Sequence, residues 1–250
     1  MKTVIKRSIL LIVILTLWWF AAQHVNNLFV PRPRSVFDSF IDNLQSGILI
    51  RALLYSFRRI VIATCLSVSI AFPIGILIHN YQFLKDYIYP ITSVLRYLPV
   101  TAFYPLLIMY FGIDEEMKIA FLFVATFVYM MPSVLLALDE INTELLDTGK
   151  TMGMSKIQTI TRIQIPAILP SVSNSFIMMF GIGWTYIAVV ESINAVYGLG
   201  YIIQQSSARG RTDLVFMSII VIMVVCMIFD NVSKWIVKKI FKWRYINVND

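Results

Sequence analysis

Residues Asp139–Pro170 read DEINTELLDTGKTMGMSKIQTITRIQIPAILP, a polar, helix-forming insert between two segments apolar enough to be membrane spans. Leu138, Ile141 and Leu145 recur at helical spacing. After Gly153 a second pattern begins, with Ile157, Ile160 and Ile163 on one face and Lys156, Gln158, Thr159 and Arg162 on the other. Gly153 lies between the two patterns, where a residue without a side chain lets the chain turn sharply or lets another backbone approach. Pro166 then ends the second helix or begins the next, because proline is tolerated in a first turn but not in an interior. The insert reads as a helical knuckle that meets something outside the bilayer.

Composition fits that frame. Of 250 residues, 58% are hydrophobic and 14% charged, and the mean hydropathy is +0.77. A soluble globule carries about a quarter charged residues, so this chain is read as an integral membrane protein. The net charge of +7 would point to nucleic acid in a soluble domain. Here the Lys and Arg cluster at the ends of apolar segments, as topology determinants do, and no nucleic-acid partner is expected. Cys65 and Cys226 both fall inside expected spans, lack CxxC spacing, and are read as packing residues.

Six spans are predicted, at about 9–29, 60–78, 87–111, 119–138, 167–190 and 214–235, with the loop at 139–170. Lys2, Lys6 and Arg7 precede the first, which is read as an uncleaved helix with its N-terminus in the cytoplasm. Pro31 to Gly47 is an amphipathic surface helix, capped by Ser35 or Asp38, with Val36, Phe37, Phe40, Ile41 and Leu44 on its apolar face. Arg58 and Arg59 then fall at the outer end of the second span, against the positive-inside rule. The third span is interrupted by Pro90, Arg96, Pro99 and Pro105, and a broken helix at membrane depth lines a cavity. Arg96 is either an interfacial anchor or a solute contact. The fifth span is rich in small residues, including Gly181 and Gly183, which predicts a central helix, with Trp184, Tyr186 and Glu191 in its outer half. Glu191 is either a gate in the pathway or a cap on a neighbouring helix. Lys238, Lys239, Lys242 and Arg244 place the C-terminus in the cytoplasm as well.

These residues resemble a family. Asp147, Thr148, Gly149, Gly153, Ile163, Ile165 and Pro166 match in register the EAA loop of ABC importer permeases: EAAxxxG, nine further positions, then IxLP. Asp147 stands for the Glu, Thr148 and Gly149 for the two Ala, and Ile165 for the Leu. LRYLPVTAFYPLLIMYFGIDEEMKI, residues 95–119, is similar to the third-span region of the nitrate, sulfonate and taurine branch, through Leu95, Arg96, Pro99, Ala102, Pro105, Leu106, Phe111, Gly112 and Ile113. The resemblance implies an all-α polytopic fold of the type I importer kind, forming one transmembrane permease domain over 1–250. It also implies a coupling loop, carried by Asp147, Gly149, Gly153, Met154, Ile163 and Pro166, that docks on a cytoplasmic ATPase. The remaining partners it implies are a second permease copy, an extracytoplasmic substrate-binding protein and membrane lipid.

On this reading the chain is a permease in the cell membrane, not an enzyme. Arg96, Pro99, Trp184, Tyr186 and Glu191 are candidate pathway residues. No phosphate loop, HExxH, Cys/His cluster or GxSxG turn occurs, so no catalytic or metal residue is assigned, and ATP is expected on the partner subunit. The rival reading is an ion-coupled secondary transporter, which would need intramembrane carboxylates and matched broken helices in two halves. A membrane enzyme would need a converging polar cluster.

Overall fold

The computed structural model describes residues 2–245, and every regular element among them is helical. In chain order these are α1 (Lys2–His24), α2 (Pro33–Gln45), α3 (Ile48–Asn80), α4 (Gln82–Tyr87), α5 (Tyr89–Leu95), a 3-10 turn (Val100–Phe103), α6 (Tyr104–Phe111) and α7 (Glu115–Asp139). They continue with α8 (Thr143–Thr151), α9 (Lys156–Thr159), a π turn (Ile160–Gln164), α10 (Ile165–Glu191), α11 (Leu199–Ala208), α12 (Thr212–Ile240) and α13 (Lys242–Tyr245). Four helical runs are long and apolar enough to cross a membrane: α3, α7, Lys156–Glu191 and α12. The pair Tyr89–Leu95 and Val100–Phe111, bent by 93°, makes a fifth if counted as one span, and α1 adds a shorter apolar stretch, Ile12–His24.

The chain divides into two compact units, Met1–Phe57 with Glu191–Val225 and Arg58–Val190 with Cys226–Asp250. In the first, Trp18 donates to the Pro31 carbonyl at 3.1 Å and stacks on Phe216 at 6.0 Å. Ser39 donates to Asp213 at 2.7 Å, and Arg211 pairs with the same carboxylate at 2.7 Å. In the second, a core of Ala71, Met130, Val134, Leu135, Leu138, Ile168, Val172 and Met179 joins α3, α7 and α10. The Ser67 and Thr126 hydroxyls meet at 2.5 Å, a polar contact of the kind that holds spans together where burial gives no net drive.

Several expectations are corrected. The helix that carries the second expected span starts at Ile48 rather than 60, so Arg58 and Arg59 lie inside it and not at its end. Arg59 is buried and forks onto Glu115 at the start of α7, with Nε donating at 2.8 Å and Nη2 at 2.5 Å. The fork neutralises Arg59 locally at the start of α7. The first helix ends at His24, short of the expected 29. The N-cap of α2 is Arg32, with Pro33 in the first turn, rather than Ser35 or Asp38, and Phe37 is exposed while Val36 and Ser39 are buried. Cys65 is exposed rather than packed. The most buried span is α7, not the small-residue helix α10. On α10 only Gly183 meets a close neighbour, Ile60, and Gly181 faces open space.

The α3–α7 approach rests on Gly75, where an added Cβ would come within 2.6 Å of Val134 Cγ1. Val134 is β-branched and fully buried, so it cannot swing aside. Gly75→Leu is expected to cost about 1–3 kcal/mol by overpacking, and Val134→Ala in the same chain should restore part of it. Thermal unfolding of the detergent-purified protein measures both. Equal stability of Gly75→Leu and wild type would refute the close contact.

Candidate functional site

Two helices form the knuckle, and two glycines act in it for different reasons. Asn142 caps α8 by accepting from the Glu144 N–H at 2.9 Å. Gly153 then turns the chain at φ +69° with open space around it, so the turn, and not a close approach, is why glycine is needed there. The close approach is at Gly149: an added Cβ would lie 2.7 Å from Ile163 Cδ1 and 3.6 Å from Met154 Sδ. Gly149, Met154 and Ile163 thus form the packed heart of the knuckle, with the Met154 N–H donating to the Gly149 carbonyl at 3.0 Å. Asp147 stands on the surface, paired with Lys150 at 2.8 Å.

Ser155 and Gln158 build a reciprocal capping box at the start of α9. The helical run does not stop at Pro166. It passes through the π turn and continues as α10, with Pro166 in that helix's first turn, where no N–H is required. The insert is therefore in part the beginning of the next span. Of the three isoleucines expected to share an inward face, Ile163 packs on Gly149 but Ile157 is 73% exposed. Together with exposed Leu145 and Met152, Ile157 leaves an apolar surface on the knuckle.

The knuckle is tied to the end of α3 through Asn80. The side-chain amides of Asn80 and Gln164 pair reciprocally, at 2.7 and 3.1 Å. Lys156 donates to the Asn80 carbonyl at 2.7 Å and sits 4.1 Å over the Tyr81 ring. Sequence reasoning missed this clamp, because a surface lysine whose partner is a backbone carbonyl leaves no pattern. Beside it, Asp139 accepts from the Tyr89 hydroxyl and lies 3.3 Å from His79 Nε2 and 3.8 Å from Lys85 Nζ.

Glu191 is fully buried at the end of α10. Its carboxylate accepts from the Ser56 hydroxyl at 2.8 and 3.0 Å and from the Gly200 N–H at 2.8 Å, while Ser56 Oγ accepts from the Leu199 N–H at 2.9 Å. These bonds place a negative charge on the N-terminus of α11, where the orphan N–H groups and helix dipole favour it. Gly198, at φ +151°, packs so close that an added Cβ would be 2.1 Å from the carboxylate. Ser56 was not legible beforehand; one hydroxyl in an apolar run is the only signal.

The other candidates lie in the second unit. Arg96 follows α5 at the 93° bend, its guanidinium 5.4 Å over the Tyr97 ring, and the Pro99 carbonyl opens the 3-10 turn by accepting from the Ala102 N–H at 2.8 Å. Trp184 is buried, edge-on to Phe180 at 6.3 Å. Tyr186 is edge-on to Phe121 at 5.9 Å. Lys118, unremarked in the sequence, is buried with its ammonium donating to the Ile113 and Asp114 carbonyls at 3.0 and 3.3 Å.

The chain is similar to several known proteins. The chain is 26% identical over 241 residues to the taurine transport system permease protein TauC of Escherichia coli, covering 94% of this chain and 88% of that one. It is 27% identical over 215 residues to a putative aliphatic sulfonates transport permease protein of Bacillus subtilis, covering 86% and 78%. In fold it is similar to an inward-facing MetNI methionine ABC transporter chain, at TM-score 0.69 and 20% identity over 77% of this chain and 96% of that one. An amino acid ABC transporter solved with histidines gives TM-score 0.64 and 15% identity over 80% and 98%. Residues 63–242 match the family described as binding-protein-dependent transport system inner membrane component. The chain belongs to that family and is an ABC importer permease.

Proposed function

We propose that two copies of this chain line one path through the cell membrane for a small sulfonate-like anion, six spans each, with both termini in the cytoplasm. Two cytoplasmic ATPase subunits bind ATP and dock on the two knuckles, an extracytoplasmic binding protein delivers the solute, and lipid covers the apolar exterior. The chain itself binds no ATP and performs no chemistry. The observation that carries this reading is the knuckle, with its exposed Leu145, Met152 and Ile157 and its direct continuity with α10. An apolar patch on a polar loop fits a partner groove, and rigid ties to α3 and α10 let movement of that partner reach the spans. ATP binding shifts the inward–outward equilibrium through its different affinity for the two arrangements. The solute class follows from the taurine and sulfonate permeases that the chain is similar to. Asp147, Gly149, Gly153, Met154, Ile163 and Pro166 form or support the coupling surface. Arg96, Pro99, Trp184 and Tyr186 flank the path, and Glu191 caps α11.

Gly153→Trp is expected to insert normally in the membrane but to lose co-purification with the ATPase and at least about tenfold of ATP-dependent uptake, since a side chain at φ +69° strains the turn that shapes the knuckle. Wild-type coupling in that variant would remove the knuckle from the mechanism. Uptake that follows an ion gradient and ignores ATP would favour a secondary transporter.

The orientation has its own check. With Cys65 and Cys226 replaced, Met152→Cys should resist a membrane-impermeant thiol reagent in intact cells, whereas Ser207→Cys should react. Labelling of position 152 from outside would reverse the assigned topology.

A further inference from the structure

Beside the break in the third span lies a cavity of about 250 Å3 whose polar lining comes from Tyr89, Ser93, Arg96, Tyr129 and Ser133, with Met178 among its apolar neighbours. We propose that this cavity is a resting site for the transported solute inside the membrane, in which Arg96 and Ser93 hold its oxyanion group, a sulfonate or carboxylate. The proposal deepens the functional reading above and rests on it.

Charge accounting in the second unit supports this assignment. Arg59 is forked onto Glu115, Lys118 is held by two carbonyls, and His79 and Lys85 share Asp139. Arg96 differs: its contact among the described residues is the Tyr97 ring, and no carboxylate pairs with it. Arg96 is exposed beside the bend, and its planar fork matches an oxyanion presenting two oxygens. Asp139 does not serve, although Tyr89 borders the cavity, because the Tyr89 hydroxyl, His79 and Lys85 already occupy that carboxylate.

The remaining lining sorts donors from acceptors. Ser93 lies one helical turn before Arg96, so its hydroxyl and the guanidinium face the same side. Ser133 spends its proton on the Tyr129 carbonyl at 2.8 Å and offers only lone pairs. The volume falls just under the roughly 300 Å3 at which pockets begin to enclose drug-sized ligands. A monoanion of a few heavy atoms fits, and a bulky one does not. The backbone bends by 93° beside the cavity, and interrupted helices at membrane depth line solute sites.

The test uses the full chain in lipid nanodiscs, with ethanesulfonate as probe and the neutral ethanesulfonamide as control, followed by ligand-observed NMR. Ethanesulfonate should bind saturably and the sulfonamide should not. R96Q should weaken ethanesulfonate by about tenfold or more, R96K less because an ammonium cannot fork, and S93A by a few-fold. Unchanged thermal unfolding of R96Q and R96K excludes misfolding as the cause. Equal binding of both probes, unaltered binding by R96Q, or no saturable binding by the wild type overturns the site. Uptake by the chain assembled with its ATPase and binding protein separates the two claims. If wild type and R96Q show the same ATP-dependent KM and kcat for ethanesulfonate, the site fails while the importer reading stands. No ATP-dependent uptake by the wild-type assembly overturns the importer reading and the site with it.

Discussion

The hydrogen-bonded pair of Asn80 and Gln164 holds the knuckle to the end of α3. Asn80 ends α3, and Gln164 lies in the π turn that leads into α10. With Lys156 on the Asn80 carbonyl, three bonds of 2.7–3.1 Å join the knuckle to one span while the backbone joins it to another. Gln164 is buried, so losing one amide leaves the other's donor and acceptor unmet, at about 1–3 kcal/mol each. The knuckle therefore has two attachments, one by side chains to α3 and one by the backbone to α10.

Burial of charge follows the same economy throughout. Arg59 with Glu115, Lys118 with two carbonyls and Glu191 with Ser56 and Gly200 each place an ionisable group where water is scarce, and each answers it with directed bonds. Removing one partner is far more damaging than replacing the whole set with apolar groups, because the orphaned charge remains. These contacts therefore act as locks on helix position rather than as net sources of stability.

How much of this the sequence announced depends on the range of the interaction. Hydropathy located α7, α10 and α12 to within a few residues, because lipid length imposes it locally. It cut α3 short by twelve residues, because Arg58 and Arg59 look like an interface until Glu115, 56 positions on, is seen to hold Arg59. The turn at Gly153 was readable from glycine alone. That Gly149 carries the tight packing was not, since it depends on where Ile163 lies. Glu191 was flagged as a costly carboxylate, but its answer, Ser56, lies 135 residues away.

The π turn at Ile160–Gln164 has a consequence for the lineage of the chain. A single π turn is an α-helix that has accepted one residue too many and absorbed it locally. Each residue of an α-helix turns its neighbours by about 100°, so an insertion absorbed in this way leaves the knuckle facing its original direction, while the same insertion relaxed into plain α-helix would swing it a quarter-turn or more off its anchor. Length changes in this segment are therefore tolerated only as whole events, bulge included. A homologue lacking one residue between Ser155 and Pro166 would be expected to run straight through, with its Asn80 counterpart still in reach.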